Sequence, residues 1–389
     1  MTATDNAKVV IIGGAIIGSF CAWFLRENGF RGEITVVEKD PSYRFSSTAL
    51  SAASIRTQFE TPLCVAMSLF GVEFIRGLKA RYGSDGDIGY VEAGYLILHR
   101  PGDAAARLDM LRMQNAHGAD IIAFAPGDLP SRFPFLNSEG LGLGTFGQSG
   151  EGWFDAWSLL SLIRREARRL GVRYVEAEAS GLEVRGDHVT GVALAGGEIL
   201  PCDWCVNAAG ALAARPLEGL GIALPVSPRK RTVFNFRAPV EARGFPMLYD
   251  VSGFWIRPEG EGFIGGIKPP ADPDATGDFT PDHALLEDLL WPLLAARIPA
   301  MEQLRPDRCW AGHYEINALD HNGIVGPHDR IGNLIFATGF SGHGVMHSPA
   351  TGRAVAELIV HGGFRTLDLT PLGWERVRDA RPLATAVSH

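Results

Sequence analysis

The sequence predicts an α/β fold, α+β overall, and three observations carry that expectation. The first is a glycine turn near the N-terminus, entered from an apolar strand and left through a helix. The second is a strand-rich stretch, residues 216–310, broken by one helical segment at Pro281–Arg297. The third is size: 389 residues, at roughly 150 per domain, imply about two domains. Hydrophobic residues are 46% and charged residues 21%, which permits a large core and excludes global disorder.

Charge and cysteine usage narrow the function classes. The net charge is −8 and no basic block occurs, so nucleic acid and anionic lipid are not expected partners. Cys21, Cys64, Cys202, Cys205 and Cys309 form no disulfide framework and suit a reducing, cytoplasmic setting. Cys202 and Cys205 make a C-x-x-C with no second pair or histidine cluster, so they read as core residues and no metal site is expected. The apolar run Val9–Leu25 is short for a membrane span and contains Gly13, Gly14 and Gly18, so no membrane span is expected.

That run is instead the start of a βαβ unit. Lys8–Ile12 reads as a buried strand, Gly13–Gly18 as a tight turn, Ser19–Asn28 as a helix stopped at Gly29, and Ile34–Val37 as a second strand ending in Glu38. Gly13 makes the turn, Gly18 lets helix and strand approach, and helix N–H groups hold a pyrophosphate. Glu38 then accepts hydrogen bonds from ribose hydroxyls. Ala15 stands at the middle glycine of G-x-G-x-x-G and weakens the motif. The whole unit predicts a Rossmann-type dinucleotide site that includes Gly13, Gly14, Ala15, Ile16, Ile17, Gly18, Glu38 and Lys39. Gly142–Gly147 matches the same pattern, but a turn-like stretch follows it and no helix, so it reads as a decoy. With one dinucleotide fold, nothing obvious holds a second nucleotide.

The segment Phe45–Arg56 is rich in small hydroxyl residues and alanine and reads as the opening of a helix. Ser47, Thr48, Ser51, Ala52 and Ala53 would put N–H and O–H donors on a second phosphate. From this point the chain resembles the D-amino-acid oxidase/sarcosine oxidase superfamily of FAD enzymes. The resemblance recurs at Cys205-Val-Asn-Ala-Ala-Gly210, at Trp310–Gly326, and at Phe336-Ala-Thr-Gly-Phe-Ser-Gly-His343-Gly344. The C-terminal segment also resembles a mitochondrial member linked to assembly of a respiratory complex. The stretches Ser47–Ala53, Val206–Gly210 and Pro246–Pro273 resemble bacterial D-amino-acid dehydrogenases.

The resemblance implies a discontinuous FAD domain. The expected division is FAD-binding at residues 1–84, 146–215 and 321–389, and substrate-binding at 85–145 and 216–320. Along the chain, strand Tyr90–Leu98 and helix Ala104–Ala116 fall in the substrate part. Helix Trp157–Leu170, whose arginines read as a solvated face, and strands Arg173–Val184 and His188–Ala193 return to the FAD part. The resemblance adds Ala179, Ala209, Gly210, His313, Gly339, Ser341, Gly342, His343, Gly344, Val345 and Met346 to the FAD site.

It also implies the candidate chemistry. FAD takes a hydride, so the protein must anchor the substrate and tune the cofactor. Arg56 matches an arginine that holds a substrate carboxylate, with Tyr249 and Arg257 as further substrate-binding candidates. Lys268 matches a lysine over the flavin that promotes oxygen reactivity. His313 stands where some members carry a cysteine bonded to the flavin, which implies non-covalent FAD here. His343 lies in the flavin loop. Met346 replaces a second carboxylate anchor. Arg56, Lys268, His313 and His343 are thus the catalytic candidates. The implied reaction oxidises the C–N bond of a small carboxylated amine, a secondary or D-amino acid, to an imine, with oxygen or an electron carrier as final acceptor. A weakly catalytic assembly factor and a 2-hydroxy-acid oxidoreductase are the alternatives.

Overall fold

Lys8–Ile12 forms the middle of a six-stranded sheet in a computed structural model that describes residues 6–383. The order across the sheet is Ile324–Pro327, Leu334–Thr338, Trp204–Asn207, Lys8–Ile12, Glu33–Glu38 and Arg173–Glu176. All neighbours are parallel except Ile324–Pro327, which runs antiparallel to Leu334–Thr338. Strands covered on both faces need no alternation, which is why Val9, Val10, Ile11 and Ile12 are all buried.

Helices Ile16–Glu27, Pro62–Tyr82, Ala156–Arg169 and Gly344–His361 cover the sheet. Phe20, Trp23 and Phe74 meet edge-to-face, with centroids 5.1 Å (Phe20–Phe74) and 5.5 Å (Trp23–Phe74) apart. Such pairs add about 0.5–1.5 kcal/mol each beyond their area. Gly352 permits the closest crossing, because a Cβ there would stand 2.6 Å from the Phe20 backbone.

The second layer is an eight-stranded sheet in the order Arg305–Asn317, Val226–Arg237, Gly262–Ile267, Phe254–Glu259, Met247–Tyr249, Tyr95–His99, Leu143–Gly147 and Ile121–Phe124. Only the pairing of Met247–Tyr249 with Tyr95–His99 is parallel. One face packs on Phe236, Phe245, Phe263 and Leu290; the other carries Tyr95, Met247, Tyr249 and Trp255. A three-stranded sheet, Ala179–Arg185, His188–Leu194 and Ile199–Pro201, hangs from the first layer.

Several elements differ from the sequence expectation. Phe45–Arg56 is not a helix but a series of turns ending in the two-residue strand Ser54–Ile55. Its hydroxyls bond nearby backbone instead: Ser46 Oγ accepts from Ala49 N, and Ser51 Oγ accepts from Ala53 N. Ala53 also takes a positive φ of 50°, which no helix allows. Arg173–Val184 is two strands in two sheets. The expected Tyr90–Leu98 strand begins only at Tyr95, because Gly94 turns the chain with φ 87°. Pro281, Asp282 and His283 lie outside the helical segment, which starts at Ala284. Gly142–Gly147 forms a sheet strand, and Cys202 and Cys205 are buried free thiols. Among the Trp157–Leu170 arginines, Arg164 is not solvated as expected: it packs 4.2 Å over the Tyr43 ring. Among the described residues no helix is long and apolar enough to cross a membrane.

Candidate active site

A cleft of about 480 Å³ runs between the two sheets. At one end Gly13 turns with φ 93° and gives its N–H to Val37 O at 2.9 Å. A Cβ on Gly13 would stand 2.4 Å from Ala208 O, and one on Gly18 would stand 1.9 Å from Gly13 O, so both positions require glycine. Helix Ile16–Glu27 begins without a side-chain cap. Ile16 N instead donates to Thr48 Oγ of the neighbouring loop at 3.4 Å, and Ala15, Ile16 and Ile17 line the cleft at the positive end of the helix. Ala15 has an ordinary φ of −68°, so alanine costs no backbone strain there.

Glu38 closes this end. Its carboxylate accepts from Gly14 N at 2.8 Å and from Asp40 N at 2.9 Å, and burial raises its pKa. Lys39 also lines the wall. The hydroxyl-rich loop lies alongside and contributes Ser47, Thr48, Ser51, Ala52 and Ala53. Five bonds with other elements pin it: Ser47 Oγ donates to His313 O (2.7 Å), Trp310 Nε1 to Leu50 O (3.1 Å), Arg257 Nε to Ala52 O (2.9 Å), Phe154 N to Ala53 O (3.0 Å) and Ile16 N to Thr48 Oγ (3.4 Å). Ala209 and Gly210 face it from the end of strand Trp204–Asn207.

The far end is built by strand Arg305–Asn317 and the start of helix Gly344–His361. His313, Tyr314 and Glu315 line it, with Gly342, Gly344 and Val345 opposite. Glu315 is buried with no cation within 4 Å among the described residues, and burial pushes its pKa up to about 7.

A strap, residues 268–281, crosses the mouth and contributes Thr276, Gly277 and Phe279. Phe279 stacks on His313 at 4.1 Å and meets Phe45 at 4.7 Å; His313 Nε2 donates to Asp278 O at 2.8 Å. Three consecutive basic residues hold the strap: Arg229 to Asp274 at 3.9 Å, Lys230 to Asp278 at 2.6 Å, and Arg231 to Asp272 at 2.6 Å.

Arg56 follows the hydroxyl-rich loop, is half-buried and, like Tyr249 and Lys268, is not on the cleft wall. Its guanidinium packs 4.1 Å over Phe59 and 6.0 Å from the Tyr95 ring centre, and donates to Gln58 O. Behind it, Glu151 is fully buried. Thr57 N and Oγ both donate to its carboxylate at 2.6 Å, and Gln58 Nε2 donates at 2.9 Å. Glu151 is thus engaged with the loop backbone and leaves the Arg56 charge uncompensated by direct contact.

Other sequence candidates land elsewhere. Arg257 is not available as a substrate anchor: it is buried, tied to Ala52 O and paired with Glu259. Lys268 is exposed at the start of the strap and is not on the cleft wall. Tyr249 lies on the sheet face beside Tyr95, off the wall. Ala179 is off it too; its neighbour Glu178 lines the cleft and pairs with Arg215 at 3.5 Å. Gly14 and Gly18 shape the turn from behind. Gly339 gives its N–H to Glu315, and Ser341 Oγ accepts from Asn317 N. Met346 is buried in the core, and His343 turns away toward Arg56. Sequence reasoning missed Tyr43, Arg215, Phe279, Tyr314 and Glu315, which all line the cleft. Glu315 alone carried a signal, as a lone acid among otherwise uncharged residues in Trp310–Asn317.

These donors fit FAD. The cleft offers two helix N-termini, at Ile16 and Gly344, a row of serine and threonine hydroxyls and a carboxylate at the ribose position. At Gly210, with φ 58°, a Cβ would find its nearest neighbour 3.7 Å away, so a side chain there would occupy ligand space.

Comparison with known proteins agrees. Residues 8–358 match the DAO family model, described as FAD dependent oxidoreductase. The chain is 38% identical to FAD-dependent oxidoreductase domain-containing protein 1 of Xenopus laevis, covering 97% of this chain and 84% of that protein. It is 26% identical to a glycine oxidase of Geobacillus kaustophilus, covering 96% and 98%. The crystal structure of L-proline dehydrogenase from P. horikoshii superimposes with a TM-score of 0.84 at 26% identity, over 97% of this chain and 100% of that one. With the fold, the cleft and these likenesses in agreement, the chain belongs to the DAO family of FAD-dependent oxidoreductases, with FAD as its cofactor.

Proposed function

We propose that this oxidoreductase converts the C–N bond of a small carboxylated amine, a secondary or D-amino acid, to an imine. The observation that carries the reading is Arg56. It is a half-buried guanidinium with no carboxylate within 4 Å among the described residues, set immediately after the cofactor loop. A half-buried cation whose nearest acid, Glu151, is bonded to other groups favours an anionic ligand, and the planar fork suits a carboxylate. Relatives named for glycine and L-proline oxidation support the same class.

In this reading Arg56 holds the carboxylate and so fixes the carbon that gives up hydride. His343 Nε2, 3.3 Å from Arg56, steadies the guanidinium. Tyr95, Tyr249 and Tyr314 wall the space around it and exclude water; all three are buried enough for their phenol pKa values to be raised. Bound FAD supplies the electron sink. Bulk water then hydrolyses the released imine. Lys268, exposed off the cleft wall, carries no part of the reading.

The test is anaerobic mixing of the holoenzyme with pooled N-methyl amino acids, cyclic imino acids and D-amino acids while following the flavin absorbance. Bleaching with one pool is the expected result. A spectrum that stays oxidised with every pool and bleaches with 2-hydroxy acids overturns it.

A further inference from the structure

Glu315 is the one acid on the cleft wall next to the turn that opens helix Gly344–His361. It is 8% exposed. Oε2 lies 3.0 Å from Thr338 Oγ and 3.1 Å from Gly339 N, the Phe340 N–H also donates to the carboxyl group, and Oε1 lies 3.2 Å from where a Gly344 Cβ would stand. The same Thr338 hydroxyl lies 3.1 Å from Gly210 O. Thr338 is fully buried and has one proton for these two acceptors. If Glu315 is protonated, its O–H donates to Thr338 Oγ and Thr338 donates to Gly210 O, so both contacts are hydrogen bonds. If Glu315 is ionised, one of them is left without a proton.

The charges around Glu315 do not compensate an ionised form. Across strand Val226–Arg237, Arg229 and Lys230 are held by Asp274 and Asp278. From the Gly210 side, Arg215 is paired with Glu178. In the loop before the helix, His343 is turned to Arg56. On its own strand, His313 donates to the strap and Tyr314 is buried. Among the described residues, none of these cations lies within 4 Å of the Glu315 carboxylate.

We propose that Glu315 is a positioning and proton-holding group of the cofactor site. It stays neutral beside oxidised FAD at acid pH and links FAD reduction to proton uptake above its own titration. The balance is explicit. Substrate or chemical reductant delivers two electrons and one proton to the cofactor, which adds one negative charge. The Glu315 carboxylate takes one proton from solvent and cancels that charge. The extra proton is taken up only where Glu315 is ionised before reduction. This inference rests on FAD being the cofactor and is independent of which substrate is oxidised.

The experiment is a reductive titration of the holoenzyme with dithionite against indicator dyes from pH 5.5 to 9, for wild type and Glu315→Gln. Glutamine keeps the shape and removes the titration. The two midpoint potentials should coincide at acid pH. Above about pH 7 the wild-type potential should fall more steeply and end below that of the variant. Profiles that stay parallel throughout overturn the proposal, and so does a variant that loses FAD affinity while keeping the wild-type break. A second measurement needs no variant. The reduced-minus-oxidised infrared spectrum of wild type at pH 8 should lose a carboxylate band and gain a carboxyl C=O band that shifts in D₂O. A spectrum with no such gain overturns it.

Discussion

Arg56 Nη2 lies 3.3 Å from His343 Nε2, although 287 positions separate the two residues. A guanidinium has only donors, so this contact makes Nε2 the acceptor. The bond joins the end of the hydroxyl-rich loop to the residue that opens helix Gly344–His361. The candidate carboxylate anchor and the far end of the FAD cleft are therefore one mechanical unit.

Arg56→Met should lower kcat/KM for the carboxylated amine at least hundredfold, on the order of 3 kcal/mol, while FAD content stays at one per chain. The same amine without its carboxylate should be processed equally by both proteins. Steady-state kinetics with the matched pair of substrates checks this.

The strap depends on Arg229, Lys230 and Arg231 meeting Asp274, Asp278 and Asp272. Asp272→Asn removes the partner that takes both Arg231 Nη groups, at 2.6 and 2.8 Å. Iodide quenching of the flavin should rise several-fold in this variant, and wild type should approach it in concentrated salt, which screens exposed pairs. Equal quenching in both proteins at low salt would show that the strap is held by Phe279 stacking alone.

Arg376 and Asp320 form a buried pair, 7% and 2% exposed, that ties helix Trp374–Arg378 to the turn after strand Arg305–Asn317. Arg376 also donates to Asn322 O at 3.1 Å. Arg376→Met leaves the Asp320 charge buried and should cost about 3–5 kcal/mol of stability by urea denaturation.

The raised pKa of Glu315 fixes the sign of its pH effect on the apoprotein. Below the ordinary carboxyl range both folded and unfolded chains hold the proton, so stability there is unaffected. As pH rises toward 7 the unfolded chain releases it and the folded chain keeps it, so this residue's contribution declines. Relative to wild type, Glu315→Gln should gain stability between pH 4.5 and pH 8, on the order of 3 kcal/mol. Thermal melts of apoprotein across that range measure it.

The FAD end of the site was legible in the chain's local pattern. Gly13, Gly18 and Glu38 are read through local geometry, because a βαβ turn places strand, turn and acid within one short stretch of chain. Element types followed where the local signal was single, as in the continuous apolar run of Lys8–Ile12 that leads into the glycine turn. Phe45–Arg56 broke the expectation because hydroxyls that favour a helix start also bond turn backbone, and tertiary contacts from Ser47 and Arg257 chose the turns. Which of the candidate cations stays out of an ion pair depends on tertiary packing. Arg56, Arg257 and Lys268 look alike in sequence; among the described residues one has no ion pair within 4 Å, one is paired and buried, and one faces solvent. Their roles depend on neighbours up to 287 positions away, and no local pattern encodes that distance. The same holds for Glu315, whose meaning comes from Thr338, Gly339 and Gly210 arriving beside it from two other strand ends.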